Sequence, residues 1–155
     1  MSGRFSKSIR DNAETLRRLK SRVDETFSRC DESPARRREW EKACESFHAT
    51  WDGLAFPGGY RSALTRIAEG ERNAVEAAIC FLECRPYFFR SGYMYSRLMK
   101  LAKRATLTDA QDARLDAVAV RDEIWRIAKR SGQDSPEMVE FVRFLKEIGY
   151  DPPNV

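Results

Sequence analysis

Apolar residues recur with a helical period along almost the whole chain, beginning near the N-terminus. The first predicted helix runs from about Arg4 to Cys30. Apolar side chains fill most of its a and d heptad positions, namely Phe5, Ile9, Leu16, Leu19, Val23 and Cys30. Because a heptad stripe packs against another helix, we expect a helical partner, either within the chain or in a second copy that dimerises through residues 5–30.

Capping residues, proline and glycine divide the rest of the chain into further helices. Ser33 and Pro34 have the pattern of an N-cap and a first helical residue, and the same pattern returns at Ser135 and Pro136. A capping-box spacing at positions 108 and 111 starts another helix. Breaks are predicted at Pro57, Gly70, Pro86, Gly132 and Gly149.

The later helices each carry an apolar stripe that we expect to face the core. In the helix from Gly92 to about Ala105 the stripe comprises Met94, Leu98, Leu101 and Ala105. In the helix that follows the capping box it comprises Ala113, Ala117, Val120, Ile124 and Ile127. In the last predicted helix it comprises Met138, Phe141, Val142, Leu145 and Ile148.

The pattern therefore predicts an all-α protein of six or seven antiparallel helices. Its architecture is expected to be either an irregular bundle or a short HEAT-like stack of helix pairs, because short loops favour antiparallel neighbours. A chain of 155 residues has the usual size of one domain. We predict a single helical domain over residues 1–149 and an extended C-terminal tail over 150–155.

Positive charge is concentrated in one segment. The chain carries 28 basic and 24 acidic residues, a net charge of +4. From Arg85 to Ala105 there are six cations and no acid, so the rest of the chain is net negative. Five aromatic residues lie in the same stretch, Tyr87, Phe88, Phe89, Tyr93 and Tyr95.

We interpret this segment as a partner-binding surface. On the predicted helix Tyr93 and three cations share one face. Arginine and tyrosine are favoured anchors in protein interfaces, which suits an adaptor or an immunity-protein-like function, whereas phosphate contacts and base stacking would suit nucleic acid instead. A third interpretation is a solvated face with Phe88 and Phe89 filling the core. The candidate site residues are Arg85, Tyr87, Arg90, Tyr93, Arg97, Lys100 and Arg104.

Catalytic and metal-binding patterns are weak. Cys44 with His48, and Cys80 with Cys84, are each four residues apart, a spacing from which a Cys₃His zinc site could form, but buried free cysteines are the more common case. His48 is the single histidine, so it cannot complete a di-iron pair with Glu45, and we interpret it as an ordinary hydrogen-bonded side chain. We predict no metal and no cofactor, and the sequence favours a non-enzymatic protein.

No export signal or membrane-spanning segment is indicated. The basic N-terminus is followed by polar residues and not by an apolar stretch, and the longest nearly apolar run, over positions 74–82, is too short to span a bilayer. We therefore expect a cytoplasmic protein with reduced thiols and no membrane partner.

Overall fold

The computed structural model describes residues 2–132 together with residues 139, 140, 143, 144 and 147. Along residues 2–132 the chain forms α1 (Ser2–Ser28), α2 (Pro34–Ala55), α3 (Tyr60–Ala68), α4 (Arg72–Cys84), α5 (Ser91–Arg104) and α6 (Asp109–Gly132). None of the described residues forms a β-strand, which confirms the all-α class. The predicted start of a last helix at Ser135 and Pro136, the residues of its stripe and the tail over 150–155 lie outside the described residues.

The helices form a bundle around α4. This helix is apolar nearly all round, and most of its residues are buried, as expected for a central helix. It packs against α1, α3, α5 and α6. In a linear stack each repeat contacts only its neighbours. The four partners of α4 all belong to its own pair or to an adjacent pair among α1–α2, α3–α4 and α5–α6, so these contacts fit an irregular bundle and a short stack of helix pairs alike.

The heptad stripe of α1 is used inside the chain. Ile9 and Leu16 are buried, and Phe5, Leu19 and Val23 pack partly buried against the same core. Helix α1 packs on α2 and α4. Much of the predicted dimer surface over residues 5–30 is therefore packed against the protein's own helices.

Local capping signals place several helix boundaries where the sequence predicts them. Ser33 lies in extended backbone, and its hydroxyl accepts a hydrogen bond from the Arg36 amide at 3.1 Å. Thr108 and Gln111 exchange two bonds of 3.1 Å in a capping box. Gly70 adopts a φ of +80° between α3 and α4, a left-handed backbone that favours glycine, so the predicted break is confirmed.

We expect Ser33→Ala to lower the free energy of unfolding by about 1 kcal/mol, because it removes the acceptor of the Arg36 amide. Urea denaturation measures the change. Ser46→Ala is the matched control, since Ser46 is exposed within the same helix and its hydroxyl caps no helix terminus. Equal midpoints for the two variants would show that the cap contributes nothing.

Helix α6 packs on the bundle by a different face from the predicted one. Its buried residues are Leu115, Val118, Asp122 and Trp125, whereas the predicted inward residues Ala113, Ala117, Val120, Ile124 and Ile127 are all exposed. Polar anchors accompany the packed face. Arg114 forms ion pairs with Glu76 and with Glu83, the latter at 2.6 Å, and Asp122 accepts a hydrogen bond from the Tyr95 hydroxyl. These contacts bring the Asp122 side of the helix inward.

Within the described part of the chain, no helix combines the length and the apolar character needed to cross a bilayer.

Candidate functional site

The loop between α4 and α5, residues 85–90, begins and ends in left-handed backbone. Arg85 has a φ of 41° and Arg90 a φ of 70°, and they are the only residues other than glycine with positive φ in the described part of the chain. Such conformations cost about 1–3 kcal/mol each when the residue has a side chain. The surrounding contacts must therefore stabilise this loop.

Arg85 is buried in the interior of the bundle. Only 6% of its surface is exposed; its guanidinium lies 3.4 Å from the Asp122 carboxylate and 3.8 Å from the ring centroid of Tyr95. A buried charge needs a partner of this kind because the interior solvates it poorly. Arg85, which the sequence predicts as a partner-binding residue, is therefore not part of the surface, and it acts instead as an internal anchor for α6.

Side chains from α1 and α2 hold the loop in place. Arg17 donates a hydrogen bond of 2.7 Å to the Tyr87 carbonyl, and the Trp51 indole donates one of 3.0 Å to the Phe89 carbonyl. Between these two points Phe88 enters the core. Its amide donates to the Ser91 hydroxyl at 3.1 Å. The loop is thus anchored on both sides of a buried aromatic ring.

The two phenylalanines of the loop behave differently. Phe88 is buried against the ring of Phe81. Phe89 is exposed on one side, packs edge-on against Phe47 at 5.6 Å, and has the cations of Lys20 and Arg90 within 6 Å of its ring centroid. The interpretation that both rings fill the core therefore holds for Phe88 alone.

An open cleft of about 490 Å³ lies beside this loop, between α2, α3 and α5. Trp51 and Tyr60 form one wall, with ring centroids 5.9 Å apart in an edge-to-face arrangement. The buried Met94 supplies an apolar floor. Two cations, Arg61 and Arg90, and the aromatic ring of Tyr93 complete the lining, and no carboxylate contributes to it.

Tyr93 is the most exposed aromatic side chain of the cleft. It is 81% exposed, which is unusual for an aromatic residue because leaving a ring in water forgoes the free energy of burial. The first turn of α5 holds it in this position. An exposed ring at the mouth of a cleft is an arrangement typical of an anchor for a partner.

The cations near the cleft have no close carboxylate partner among the described residues. In the part of the chain that the structure describes, Arg90 and Arg97 form no ion pair, and the exposed Arg61 has only a long contact of 3.9 Å to Asp52. Arg97 is close enough to Tyr60 to oppose the rise in the pKa of that hydroxyl that burial causes. A site with open cations and no competing acid favours an anionic ligand.

Asp52 has a structural role next to these cations. Gly59, the residue before α3, has no side chain to cap the helix, and Asp52 accepts the Arg61 amide at 2.9 Å instead. Gly59 has a φ of +94°, and a Cβ there would lie 2.9 Å from the Asp52 carboxylate. The carboxylate is thus engaged mainly with backbone, and its contact with the Arg61 cation is long at 3.9 Å.

We define the basic-aromatic surface as Trp51, Tyr60, Arg61, Arg90, Tyr93 and Arg97. Of the residues predicted from the sequence, it includes the three at positions 90, 93 and 97. Lys100 and Arg104 are exposed further along α5, while Tyr87 lies on the side of α1, where its carbonyl binds Arg17. The sequence prediction misses the three residues from α2 and α3, since nothing local links them to the charged segment.

The thiols and the histidine form no comparable site. Cys80 and Cys84 are buried, and burial raises the pKa of both thiols, which disfavours the reactive thiolate. The His48 side chain is exposed and makes no hydrogen bond with the described residues, so the structure does not show the expected hydrogen-bonded histidine. Among the described residues no three His, Cys, Asp or Glu side chains are grouped so that they could hold a metal ion.

Fold and surface together define a helical bundle with an open basic and aromatic cleft built around the loop between α4 and α5. No family model, curated protein or solved structure matches the chain.

Proposed function

We propose that the protein is a non-enzymatic binding module, an adaptor or an immunity-protein-like partner, that docks an acidic segment of another protein on the basic-aromatic surface. The observation that carries this proposal is the 81% exposed ring of Tyr93 beside Arg90 and Arg97, which have no carboxylate partner in the described part of the chain. Tyrosine, tryptophan and arginine are the residues most enriched at energetic centres of protein interfaces.

The shape of the cleft favours a peptide segment over a nucleic acid. Sequence-tolerant binding of single strands needs open ring faces on which successive bases stack. The half-buried rings of Trp51 and Tyr60 pack edge-to-face on each other, and the Trp51 indole is bonded to the loop. Only the Tyr93 ring stands largely open. A partner that inserts one apolar side chain and places carboxylates near the arginines would match this arrangement.

We expect Tyr93→Ala and Arg97→Ala each to weaken binding of acidic peptides about tenfold or more, equivalent to about 1.4 kcal/mol. The measurement is fluorescence anisotropy with a panel of labelled peptides of about 12 residues, each rich in Asp and Glu and carrying one aromatic residue. Both substitutions lie on the exposed side of α5. Unfolding midpoints close to that of the unaltered protein would confirm that the fold is intact.

Two substitutions elsewhere serve as matched controls. Arg22→Ala removes an exposed arginine of α1, and Phe27→Ala removes an exposed aromatic ring of the same helix. Neither residue lines the cleft, so both variants should bind the peptides like the unaltered protein. Absence of any peptide binding, or equal losses for cleft and control variants, would contradict the proposal.

The same assay with a labelled oligothymidine tests nucleic acid as the partner. Binding whose affinity falls steeply with salt, with a slope that Arg97→Ala reduces by about one, would assign the surface to phosphate recognition instead. We expect no such binding near physiological salt.

A further inference from the structure

Helix α6 carries a second apolar stripe on its solvent side. Its members Ala113, Ala117, Val120 and Ile124 are exposed, with Val120 at 58% and Ile124 at 61%. They are spaced alternately four and three residues apart, and Ile127 continues the series. This is the a and d pattern of helices that pack side by side. We call these five residues the α6 stripe.

Packing among helices α1–α6 leaves the three larger members of this stripe more than half exposed. Helix α6 packs on α4 through the opposite side, with Leu115, Val118 and Trp125 buried and with Arg114 bound to acids of α4. Leaving a row of Val and Ile side chains in water forgoes a free energy of burial of about 25 cal/mol per Å² of apolar surface. Contiguous apolar surface of this kind marks a contact with another molecule.

Charge and side-chain size change together along α6. The first half of the helix presents the exposed acids Asp109, Asp112 and Asp116 next to the alanines of the stripe. The second half presents the exposed cations Arg126 and Arg130 next to the large residues of the stripe; it also presents one exposed acid, Glu123, which forms an ion pair with Arg126. Acids near an N-terminus and bases near a C-terminus also suit the helix dipole, but the dipole does not account for the matching change in apolar size.

We propose that a second copy of this chain docks on the α6 stripe, with the two α6 helices antiparallel. Only this orientation sets the acidic half of each helix against the basic half of the other, and only it sets Ala113 and Ala117 against the larger side chains of the partner helix. A parallel pair would oppose like charges and would leave the alanine end loosely packed. The contact has twofold symmetry, the commonest arrangement of homodimers. It shares no residue with the basic-aromatic surface, so each proposal can fail without the other.

The experiment is sedimentation velocity of the full chain over about 1–200 μM. We expect a concentration-dependent dimer and, for Ile124→Glu, a dissociation constant raised at least tenfold with an unchanged melting temperature. Phe27→Glu is the control, because Phe27 is an equally exposed apolar residue on α1, and this variant should dimerise normally.

Charge reversal tests the pairing without altering the stripe. Asp112→Lys with Asp116→Lys makes both halves of α6 basic, and Arg126→Glu with Arg130→Glu makes both halves acidic. Each variant alone should be monomeric, and an equimolar mixture should recover a dimer. The proposal is overturned if the unaltered chain stays monomeric over the whole range, or if Ile124→Glu still dimerises. A large drop in the melting temperature of Ile124→Glu would also overturn it, because it would mean that Ile124 stabilises the folded chain itself.

Discussion

Asp122→Asn is expected to lower the free energy of unfolding by about 3–5 kcal/mol, the loss typical when one partner of a buried ion pair is removed. Asp122 is buried and accepts hydrogen bonds from Arg85, Arg121 and the Tyr95 hydroxyl. Burial, with the bond to Asp122, raises the pKa of the Tyr95 hydroxyl above its usual value, which favours the protonated form that donates this bond. The amide of asparagine cannot neutralise the buried Arg85 cation.

Urea denaturation measures this loss, and the neighbouring Glu123→Gln provides the control. Glu123 is exposed and pairs at the surface with Arg126, so its change should cost less than about 1 kcal/mol. Adding Arg85→Met to Asp122→Asn should recover part of the stability, because it removes the uncompensated charge. A loss for Asp122→Asn as small as that for Glu123→Gln would refute the anchoring role of this cluster.

Phe88→Ala is expected to destabilise the protein by about 3–5 kcal/mol, the range for truncating a buried phenylalanine. The Phe88 ring is buried against Phe81, a fully buried residue of the central helix α4. Its removal leaves a cavity below the loop and loosens the segment that presents Arg90. We therefore expect the variant to bind acidic peptides more weakly as well.

Phe89→Ala is the matched control for this prediction. The two residues are adjacent and chemically identical, but Phe89 is 40% exposed, so its truncation should cost clearly less. Thermal and urea unfolding of both variants decide the comparison. Equal losses at the two positions would contradict the assignment of Phe88 alone to the core.

The helix boundaries could be predicted because their causes are local. The Ser33 cap, the capping box at Thr108 and Gln111 and the left-handed turn at Gly70 each depend on groups within four residues of one another. A sequence shows such groups directly. The packed face of α6 could not be predicted in the same way. The helix has two apolar sides, and the choice between them depends on Asp122 meeting Arg85, 37 residues earlier in the chain.

The residues of the candidate surface could be predicted from the sequence only in part, for the same reason. Tyr93 and Arg97 lie in the segment whose charge and aromatic content are unusual, and both are exposed as the helical spacing predicts. Arg85 belongs to the same segment and carries the same charge, yet it is buried. Trp51 and Tyr60 reach the cleft from helices that carry no comparable signal. Composition identifies a charged segment, but only packing decides which of its members face water.

The anchored loop has a consequence for the thermodynamics of association. Its backbone loses its freedom when the chain folds, since Arg17 and Trp51 hold two of its carbonyls and Phe88 is fixed in the core. A partner arriving at the cleft then has only exposed side chains such as Tyr93 and Arg97 to immobilise, at about 0.5–1.5 kcal/mol each. Most of the backbone conformational entropy that binding would otherwise cost is therefore already lost on folding. We expect rigid docking with little backbone rearrangement.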